Sequence, residues 1–383
     1  MKLKKAAASM LAVLLVISYT PLKASALTDN EVKAPSAVLM EANTGKILFE
    51  KNAHEKRCCA SITKVMTLLL VMEAIDSGKI GLTDTVTASD HASSMGGSQI
   101  WLKPGETMTV DDLLKATVIA SANDTATALA EYVAGSEDEF VKQMNEKAKS
   151  LKMGDTTFKN CNGLDEDGHV TSAYDIAVMS RELIKHQKIF KYTKVWIDYL
   201  RGGKTQLVNT NKLIKYYDGI TGLKTGTTGK AGSCISATAE RNGVSLIAVV
   251  LGCQTTKDRF ASARTLLDYG FANWEVVKPK IPTGALNPVN ISNGMSPQVQ
   301  TEVNSSGSIL VPKGKGGNIK NSVSINKNIK APVAKGQVIG KITFTLDNKT
   351  VQEYNICAKN SVSQINFKAA FSLLFRNLIN ICS

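Results

Sequence analysis

The sequence reads Ser61-Ile62-Thr63-Lys64 directly ahead of an apolar run that begins at Val65 and Met66. On a helix, residues three positions apart share a face, with their Cβ atoms about 5–6 Å apart. The spacing therefore predicts that the Ser61 hydroxyl and the Lys64 amine are neighbours, and a neutral lysine there can take the serine's proton. Alone the pattern is weak, because a serine near an ordinary solvated helix start gives the same four letters.

Two later stretches indicate how the Ser61–Lys64 pattern is to be interpreted. They are Ser121-Ala122-Asn123-Asp124 and Lys224-Thr225-Gly226-Thr227-Thr228-Gly229. Ser-x-x-Lys, Ser-x-Asn and Lys-Thr-Gly in this order form the motif set of the penicillin-recognising serine enzymes. The passages 60–67, 121–135 and 218–226 resemble the D-alanyl-D-alanine carboxypeptidase branch of the low-molecular-mass penicillin-binding proteins. The resemblance runs from about residue 33 to the C-terminus.

The length and the resemblance together predict the domain organisation. A chain of 383 residues is too long for one hydrophobic core, since single cores stop growing at about 250–300 residues. The resemblance implies an α+β fold with a serine β-lactamase/DD-peptidase-like catalytic domain, an antiparallel sheet with helices, over residues 27–275. A small all-β domain over residues 276–366 and a C-terminal amphipathic helix over residues 367–383 are expected to follow.

Strand-like runs open the expected catalytic domain. Ala37–Met40 and Lys46–Glu50 are joined by Asn43-Thr44-Gly45, which predicts a hairpin. Helices are predicted over 110–118 and 256–273. Beyond Lys280 short Val- and Ile-rich runs alternate with Pro, Gly, Asn and Ser, as expected of an all-β domain.

Residues 1–26 have the composition of a secretory signal. A basic start is followed by the apolar segment Ala6–Ser18 and by the small-residue cleavage site Ala24-Ser25-Ala26. The alternative is an uncleaved N-terminal anchor, which Pro21 disfavours. The mature chain is then expected to begin at Leu27, outside the cytoplasmic membrane.

The charge balance limits the classes of binding partner that fit this chain. The formal net charge is +13, and it is +9 without the four lysines of the signal segment. Nucleic acid is a poor partner for an exported chain, so the excess favours anionic lipid headgroups or acidic wall polymers. Residues 280–366 carry ten lysines against three acids, a net +7. For the catalytic region, a mild excess that only aids solubility is the simpler interpretation.

The last segment predicts a membrane anchor. Apolar residues from Phe367 and Phe371 to Ile381 recur at helical spacing, with Lys368 and Arg376 on the remaining surface. About 15 residues with two cations are too few and too polar to span a bilayer. An amphipathic helix lying in the interface of an anionic membrane is expected, and a helix docked on the protein's own core is the alternative.

The seven cysteines are an odd number without regular spacing, which argues against a disulfide framework. Cys58 and Cys59 stand just before Ala60-Ser61, where the family usually has a proline. We expect free thiols packed under the active-site helix, with a redox or disulfide role as the alternative. No paired ligand spacing accompanies them, so no metal site is predicted.

The resemblance implies the roles of the site residues. Ser61, Lys64 and Ser121 would be catalytic, with Ser61 attacking a stem pentapeptide at its penultimate D-alanine and Ser121 relaying a proton to the leaving amine. The oxyanion hole would be the N–H groups of Ser61 and Thr227. β-Lactams would acylate the same serine, and no cofactor is needed. The substrate-binding residues would be Asn123, Lys224, Thr225, Gly226 and Thr227.

Three further expectations concern residues around the site. For Lys64 to act as a base its pKa must fall, with burial and nearby Lys224 as the usual causes. His169 is expected to be structural. The sequence after Glu166 lacks the Glu-x-x-Leu-Asn element with which class A β-lactamases activate water, so rapid antibiotic hydrolysis is not expected.

Two alternatives to the carboxypeptidase stay open. One is a D,D-endopeptidase or weak β-lactamase that uses the same site. The other is a non-catalytic wall-binding protein that has lost activity through its cysteine-bearing turn. The intact motif residues Ser61, Lys64 and Ser121 argue against this second alternative.

Overall fold

The computed structural model describes residues 27–304 and 307–372. The predicted signal segment, 1–26, lies outside the described residues, as do residues 373–383 of the predicted anchor. The chain divides into two compact units. The first ends at Asn273, and the second begins at Trp274 and also takes in Glu240–Ser245.

The first unit combines one large sheet with helices and small β-ladders. Its strands are β1 Ser36–Glu41, β2 Ile47–Lys51, β3 Thr85–Thr87, β4 Thr107–Thr109, β5 Ile197–Leu200, β6 Thr205–Val208, β7 Ile220–Thr228, β8 Gly232–Arg241 and β9 Val244–Cys253. Its helices are α1 Lys64–Asp76, α2 Asp90–Ser93, α3 Val110–Lys115, α4 Asn123–Ala134, α5 Glu137–Ser150, α6 Ala173–Leu183, α7 Phe190–Thr193, α8 Leu213–Tyr216 and α9 Thr256–Asn273.

The large sheet has the strand order β2-β1-β9-β8-β7, which puts β7, the strand with the Lys-Thr-Gly motif, at one edge. β1 pairs antiparallel with both β2 and β9, and β7 pairs antiparallel with β8. The predicted hairpin is confirmed as β1 and β2, with Gly45 of its turn at a φ of +74°. The predicted closing helix is confirmed as α9.

Helix α1 forms the centre of the first unit's core. It packs against α4 and α6, and its apolar side chains are buried around almost the whole circumference. Leu68 and Leu69 are at most 1% exposed. Burial of each such leucine contributes about 1.5–3 kcal/mol, so the start of α1 is held firmly in place.

Two local details differ from the sequence-based expectation. Ser61 does not lie on the α-helix itself but in a 3-10 turn, Ala60–Thr63, that leads into it. Side chains three positions apart eclipse one another in 3-10 geometry, so Ser61 and Lys64 still meet. The helix predicted over 110–118 is α-helical only to Lys115 and continues as a π-helical turn, Ala116–Ala120.

The second unit is built from β-strands around its own apolar core, which includes Ile342, Phe344 and Ile356. A four-stranded sheet has the order β13 (Thr301–Asn304), β17 (Lys349–Ala358), β16 (Val338–Leu346) and β15 (Lys320–Ile325). Among the Val- and Ile-rich runs beyond Lys280, residues 338–346 form one strand, β16, with a register shift between Val338 and Gly340. The strands are β10 Trp274–Val277, β11 Val289–Asn290, β12 Gln298–Val299, β13 Thr301–Asn304, β14 Ile309–Pro312, β15 Lys320–Ile325, β16 Val338–Leu346 and β17 Lys349–Ala358.

The described chain ends in the first turns of a helix, residues 367–372. The Asn366 side chain caps it by accepting from the Ala369 N–H at 2.9 Å, and Phe367 is 86% exposed. The rest of the predicted anchor helix lies outside the described residues, so the anchor stays a prediction. Among residues 27–304 and 307–372, no helix has the length and apolar character that crossing a membrane requires.

Candidate active site

The turn that carries Ser61 is held by two close backbone approaches. A Cβ at Gly226 would lie 2.9 Å from the Ser61 nitrogen and 2.6 Å from the Cys59 carbonyl oxygen. A Cβ at Gly163, whose φ is +90°, would lie 2.0 Å from the Ala60 carbonyl oxygen. Only glycine allows both segments to come this near, and they fix the position of Ser61 from two sides.

Lys64 is completely buried beneath Ser61. Its Nζ lies 3.1 Å from Ser61 Oγ, 2.5 Å from Asn123 Oδ1 and 2.6 Å from the Asn162 carbonyl oxygen. The two carbonyl oxygens can only accept hydrogen bonds. A neutral amine therefore donates its two N–H groups to Asn123 and Asn162 and directs its lone pair at the Ser61 hydroxyl. The contact predicted from the Ser-x-x-Lys spacing is present.

Burial lowers the pKa of Lys64 to about 7, while acidic neighbours, among them Asp124, oppose this shift. Of the two causes predicted for the lowered pKa of Lys64, burial is therefore the one that operates. The expected contribution of Lys224 runs in the other direction: burial lowers the pKa of Lys224 well below its ordinary value, and Lys64 lowers it further.

Ser121 lies directly after the π-helical turn, in the left-handed conformation with φ 63° and ψ 29°. This conformation is disfavoured for a residue with a side chain, and π-turns of this kind often occur at functional sites. The Oγ of Ser121 accepts from Lys224 Nζ at 2.7 Å. The third predicted catalytic residue is thus joined to the amine of the Lys-Thr-Gly motif.

Asn123 begins α4, and both ends of its side-chain amide are hydrogen-bonded. Its Oδ1 accepts from Lys64, its Nδ2 donates to the Gly96 carbonyl at 2.6 Å, and its backbone N–H donates to the Ser98 carbonyl at 2.6 Å. The expected orientation of the lysine by Asn123 is present. The side-chain amide nitrogen has two N–H groups, so the bond to Gly96 leaves the second one for a further acceptor.

The Lys-Thr-Gly strand completes the cleft. Thr225 is buried, and its hydroxyl donates to Thr210 Oγ1 at 2.7 Å. Thr227 is exposed, and its hydroxyl donates to the Gly226 carbonyl at 2.8 Å. As part of an edge strand, this stretch presents backbone groups at the side of the sheet, where an extended peptide can add as a further strand.

Three residues that the sequence-based list omits belong to this arrangement. They are Asn162, whose carbonyl holds Lys64, Thr210, which positions Thr225, and Arg259. The Arg259 guanidinium is buried behind the edge strand, where Nη1 donates to Thr227 Oγ1 at 3.0 Å and to the Gly226 carbonyl at 3.2 Å. The sequence signal for Arg259 was only that of a strongly basic residue on the inner face of the long helix α9.

His169 is structural, as expected. The Lys159 N–H donates to its Nδ1 at 3.2 Å, so Nε2 carries the hydrogen and donates to Thr63 Oγ1 at 2.8 Å. Burial lowers the pKa of His169 to about 4. A neutral imidazole therefore braces the turn next to Ser61 from outside the reaction centre.

The cysteines within the described residues are free thiols. Cys59 is buried directly below the turn, where its Sγ lies 3.3 Å from Thr63 Oγ1. Burial raises the pKa of Cys59 to about 12. The expectation of free thiols is confirmed for Cys58 and Cys59, and Cys59 is kept in its unreactive protonated form.

A serine beside a buried lysine of lowered pKa, a second serine bonded to a second lysine, and an edge strand with a close glycine define the class of active-serine acyl-transfer enzymes. Comparison with known proteins narrows the class. Residues 23–255 match the family model described as D-alanyl-D-alanine carboxypeptidase, and residues 283–364 match the model of the penicillin-binding protein 5 C-terminal domain. The chain belongs to the D-alanyl-D-alanine carboxypeptidase family.

Individual relatives agree with this assignment. The chain is 44% identical over 339 residues to the D-alanyl-D-alanine carboxypeptidase DacF of Bacillus subtilis (strain 168), covering 88% of this chain and 87% of that protein. The crystal structure of penicillin binding protein 5 from Haemophilus influenzae matches with a TM-score of 0.78 at 32% identity, covering 88% of this chain and all of that one.

A further similar structure is penicillin-binding protein D2 of Listeria monocytogenes in an ampicillin-bound form. It matches with a TM-score of 0.58 at 33% identity, covering 63% of this chain and 98% of that one. The predicted fold and the prediction of a serine D-alanyl-D-alanine carboxypeptidase are confirmed by these matches.

Proposed function

We propose that Ser61 is the nucleophile with which this carboxypeptidase removes the terminal D-alanine from the stem pentapeptides of peptidoglycan. The observation that carries the proposal is the 3.1 Å contact between Lys64 Nζ and Ser61 Oγ. A base with a pKa of about 7 is close to the value at which proton transfer works best near neutral pH.

Acylation follows from the geometry. Lys64 takes the Ser61 proton as Oγ attacks the carbonyl carbon of the penultimate D-alanine. The carbonyl oxygen becomes an anion, which the N–H groups of Ser61 and Thr227 would bind. The close approach of Gly226 to the Ser61 nitrogen supports this oxyanion hole, because it brings the edge strand beside that N–H.

The leaving group then needs a proton. Ser121 Oγ, bonded to Lys224 Nζ at 2.7 Å, would deliver its hydroxyl proton to the departing amine of D-alanine as the peptide C–N bond breaks. The proton that Lys64 took from Ser61 would replace it on Ser121, which leaves Lys64 neutral. Water then attacks the acyl-enzyme with Lys64 as base again, and Ser61 regains its proton. The net reaction is pentapeptide plus water to tetrapeptide plus D-alanine. With a β-lactam, the reaction would stop at the acyl-enzyme formed on the same serine.

The substrate's terminal carboxylate would lie beside Thr225, with Arg259 behind the strand. The pKa of Lys224 is lowered in this site, so an arriving carboxylate is expected to favour its protonated form. Arg259 has an ordinary pKa so high that it keeps its charge despite a lowered value. We therefore assign the constant positive charge of the carboxylate subsite to Arg259.

The remaining parts of the chain fit an enzyme of the cell envelope. We propose that residues 1–26 are a secretory signal, that 27–275 form the catalytic domain, and that 276–366 form an all-β domain that stands it off the membrane. Residues 367–383 would anchor the protein to the anionic outer face of the cytoplasmic membrane. The exposed Phe367 at the start of the last helix supports an interfacial anchor.

Release of D-alanine from a synthetic N-acylated peptide ending in Lys-D-Ala-D-Ala tests the proposal. We expect turnover by the wild-type protein and none by Ser61→Ala. Ser77→Ala, at the exposed far end of α1, is the matched control and keeps full activity. Turnover by Ser61→Ala at the wild-type rate contradicts the assignment of the nucleophile.

A further inference from the structure

A groove outside the catalytic cleft opens between the turn 103–106 and the tip of the β5–β6 hairpin. Its volume is about 850 Å³, within the roughly 300–1,000 Å³ typical of small-molecule sites. Trp101 lines one side, and Thr205 and Gln206 line the other. None of these residues takes part in the reaction described above.

Trp101 is presented to solvent in an unusual way. Its side chain is 73% exposed, and its backbone is left-handed with a φ of +56°, which a bulky residue rarely adopts. The buried carboxylate of Asp124 accepts from the N–H groups on either side of it, those of Ile100 at 3.1 Å and Leu102 at 3.0 Å. The backbone around Trp101 is thus clamped, and the indole is held outward.

The same clamp connects the groove to the catalytic cleft. Asp124 directly follows Asn123, and the Asn123 N–H donates to the Ser98 carbonyl at 2.6 Å. Trp101 lies three residues beyond Ser98, a distance of at most about 11 Å even for an extended chain. A ligand on Trp101 therefore lies within a short peptide's reach of the reacting serine.

The floor of the groove carries an ion pair, and two further cations, Lys103 and Lys204, also line the groove. Arg201 and Glu106 form a two-pronged ion pair, with Nε–Oε1 at 2.7 Å and Nη2–Oε2 at 3.2 Å. Arg201 Nη1 donates to the Ile100 carbonyl at 2.9 Å and to Thr205 Oγ1 at 3.1 Å. Four of the five guanidinium N–H groups are engaged, so we expect Arg201 to contribute little to the binding of an anion.

We propose that this groove binds an N-acetylhexosamine unit of the glycan strand to which the stem peptide is attached. An exposed indole offers an apolar face to the C–H face of a sugar ring, while Thr205 and Gln206 offer polar partners for its hydroxyl and acetamide groups. The inference rests on the proposed function, since a stem-peptide substrate carries its sugar a few residues from the scissile bond. The enzyme would then favour glycan-linked peptides over free ones.

Direct binding is the first test. N-acetylglucosamine tetrasaccharide is titrated into the wild-type protein and into Ser61→Ala, followed by calorimetry. We expect both to bind, Trp101→Ala to bind about tenfold more weakly, and Trp101→Phe to retain most of the affinity. Tyr216→Ala is the matched control, since Tyr216 is 66% exposed and does not line the groove. No binding to wild type, or equal binding by Trp101→Ala with an unchanged melting temperature, overturns the proposal.

Kinetics give a second, independent readout. The ratio of kcat/KM for a disaccharide-linked pentapeptide to that for the free pentapeptide is expected to fall about tenfold in Trp101→Ala and to stay unchanged in Tyr216→Ala. If the groove instead binds a poly(glycerol phosphate) chain, with loss in a Lys103→Ala/Lys204→Ala double variant, the sugar assignment is wrong. Because binding is also measured in Ser61→Ala, failure of the sugar site is distinguishable from failure of the catalytic assignment.

Discussion

Gly226 passes so close to Ser61 that a Cβ at position 226 would lie 2.9 Å from the Ser61 backbone nitrogen. The contact joins the edge strand of the sheet to the turn before α1, two segments that are 165 residues apart in the sequence. It requires that position 226 has no side chain, and in the proposed mechanism it brings the N–H groups of Ser61 and Thr227 to the same oxyanion.

The first prediction concerns this contact. Gly226→Ala pushes the strand away from Ser61 and is expected to slow acylation by benzylpenicillin about 10²–10³-fold, the usual effect of losing one oxyanion donor. Gly229→Ala is the control, because a Cβ there meets nothing within 4 Å. Stopped-flow measurement of the acylation rate tests this prediction. Equal rates for both variants would show that the close approach of Gly226 to Ser61 has no catalytic role.

The second prediction is a pH dependence. Lys64 acts as a base only when neutral, and its pKa is lowered to about 7. The acylation rate should therefore be low in acid, rise through pH 7 and level off above it. Lys64→Met is expected to lower the rate about 10²–10⁴-fold and to remove this rise. A rate that keeps climbing towards the ordinary lysine pKa would mean that Lys64 is not the base.

The third prediction concerns stability. Burial lowers the pKa of His169 from 6.5 to about 4, so between these values the unfolded state binds more protons than the folded state. Stability is therefore lost as pH falls through this window, by up to about 3 kcal/mol for this group. Urea unfolding at pH 7 and pH 4 should show a smaller loss for His169→Gln than for wild type. An identical loss would assign the acid sensitivity to other groups.

The fourth prediction tests the charge behind the edge strand. Arg259→Gln should lower kcat/KM for a D-Ala-D-Ala peptide about tenfold to a hundredfold, the range expected for a hydrogen bond to a charged group. A peptide with a C-terminal amide should lose much less. Arg264→Gln changes an exposed arginine of the same helix and should have no effect. Equal losses for the acid and amide peptides would place Arg259 in a purely structural role.

The sequence predicted those parts of the site that are formed by side chains at motif positions. Ser61, Lys64, Asn123 and Gly226 lie where their spacing and order indicated. The closing helix and the opening hairpin were also predictable, since their turn residues and apolar patterns are local.

What the sequence could not reveal depends on backbone atoms and on burial. The Asn162 carbonyl that holds Lys64 is a main-chain group with no side-chain signature. The π-turn that brings Ser121 to Lys224 has no pattern distinct from an α-helix. The lowered pKa of Lys224 results from how completely the fold covers it, which appears only once the sheet and α1 are assembled.

The most direct test of the central claim is the intact mass of residues 27–383 with and without benzylpenicillin, followed by peptide mapping. The account predicts one covalent adduct on the peptide containing Ser61, absent from Ser61→Ala and retained in Ser77→Ala. An adduct that persists in Ser61→Ala, or the absence of any adduct on the wild-type protein, would contradict it.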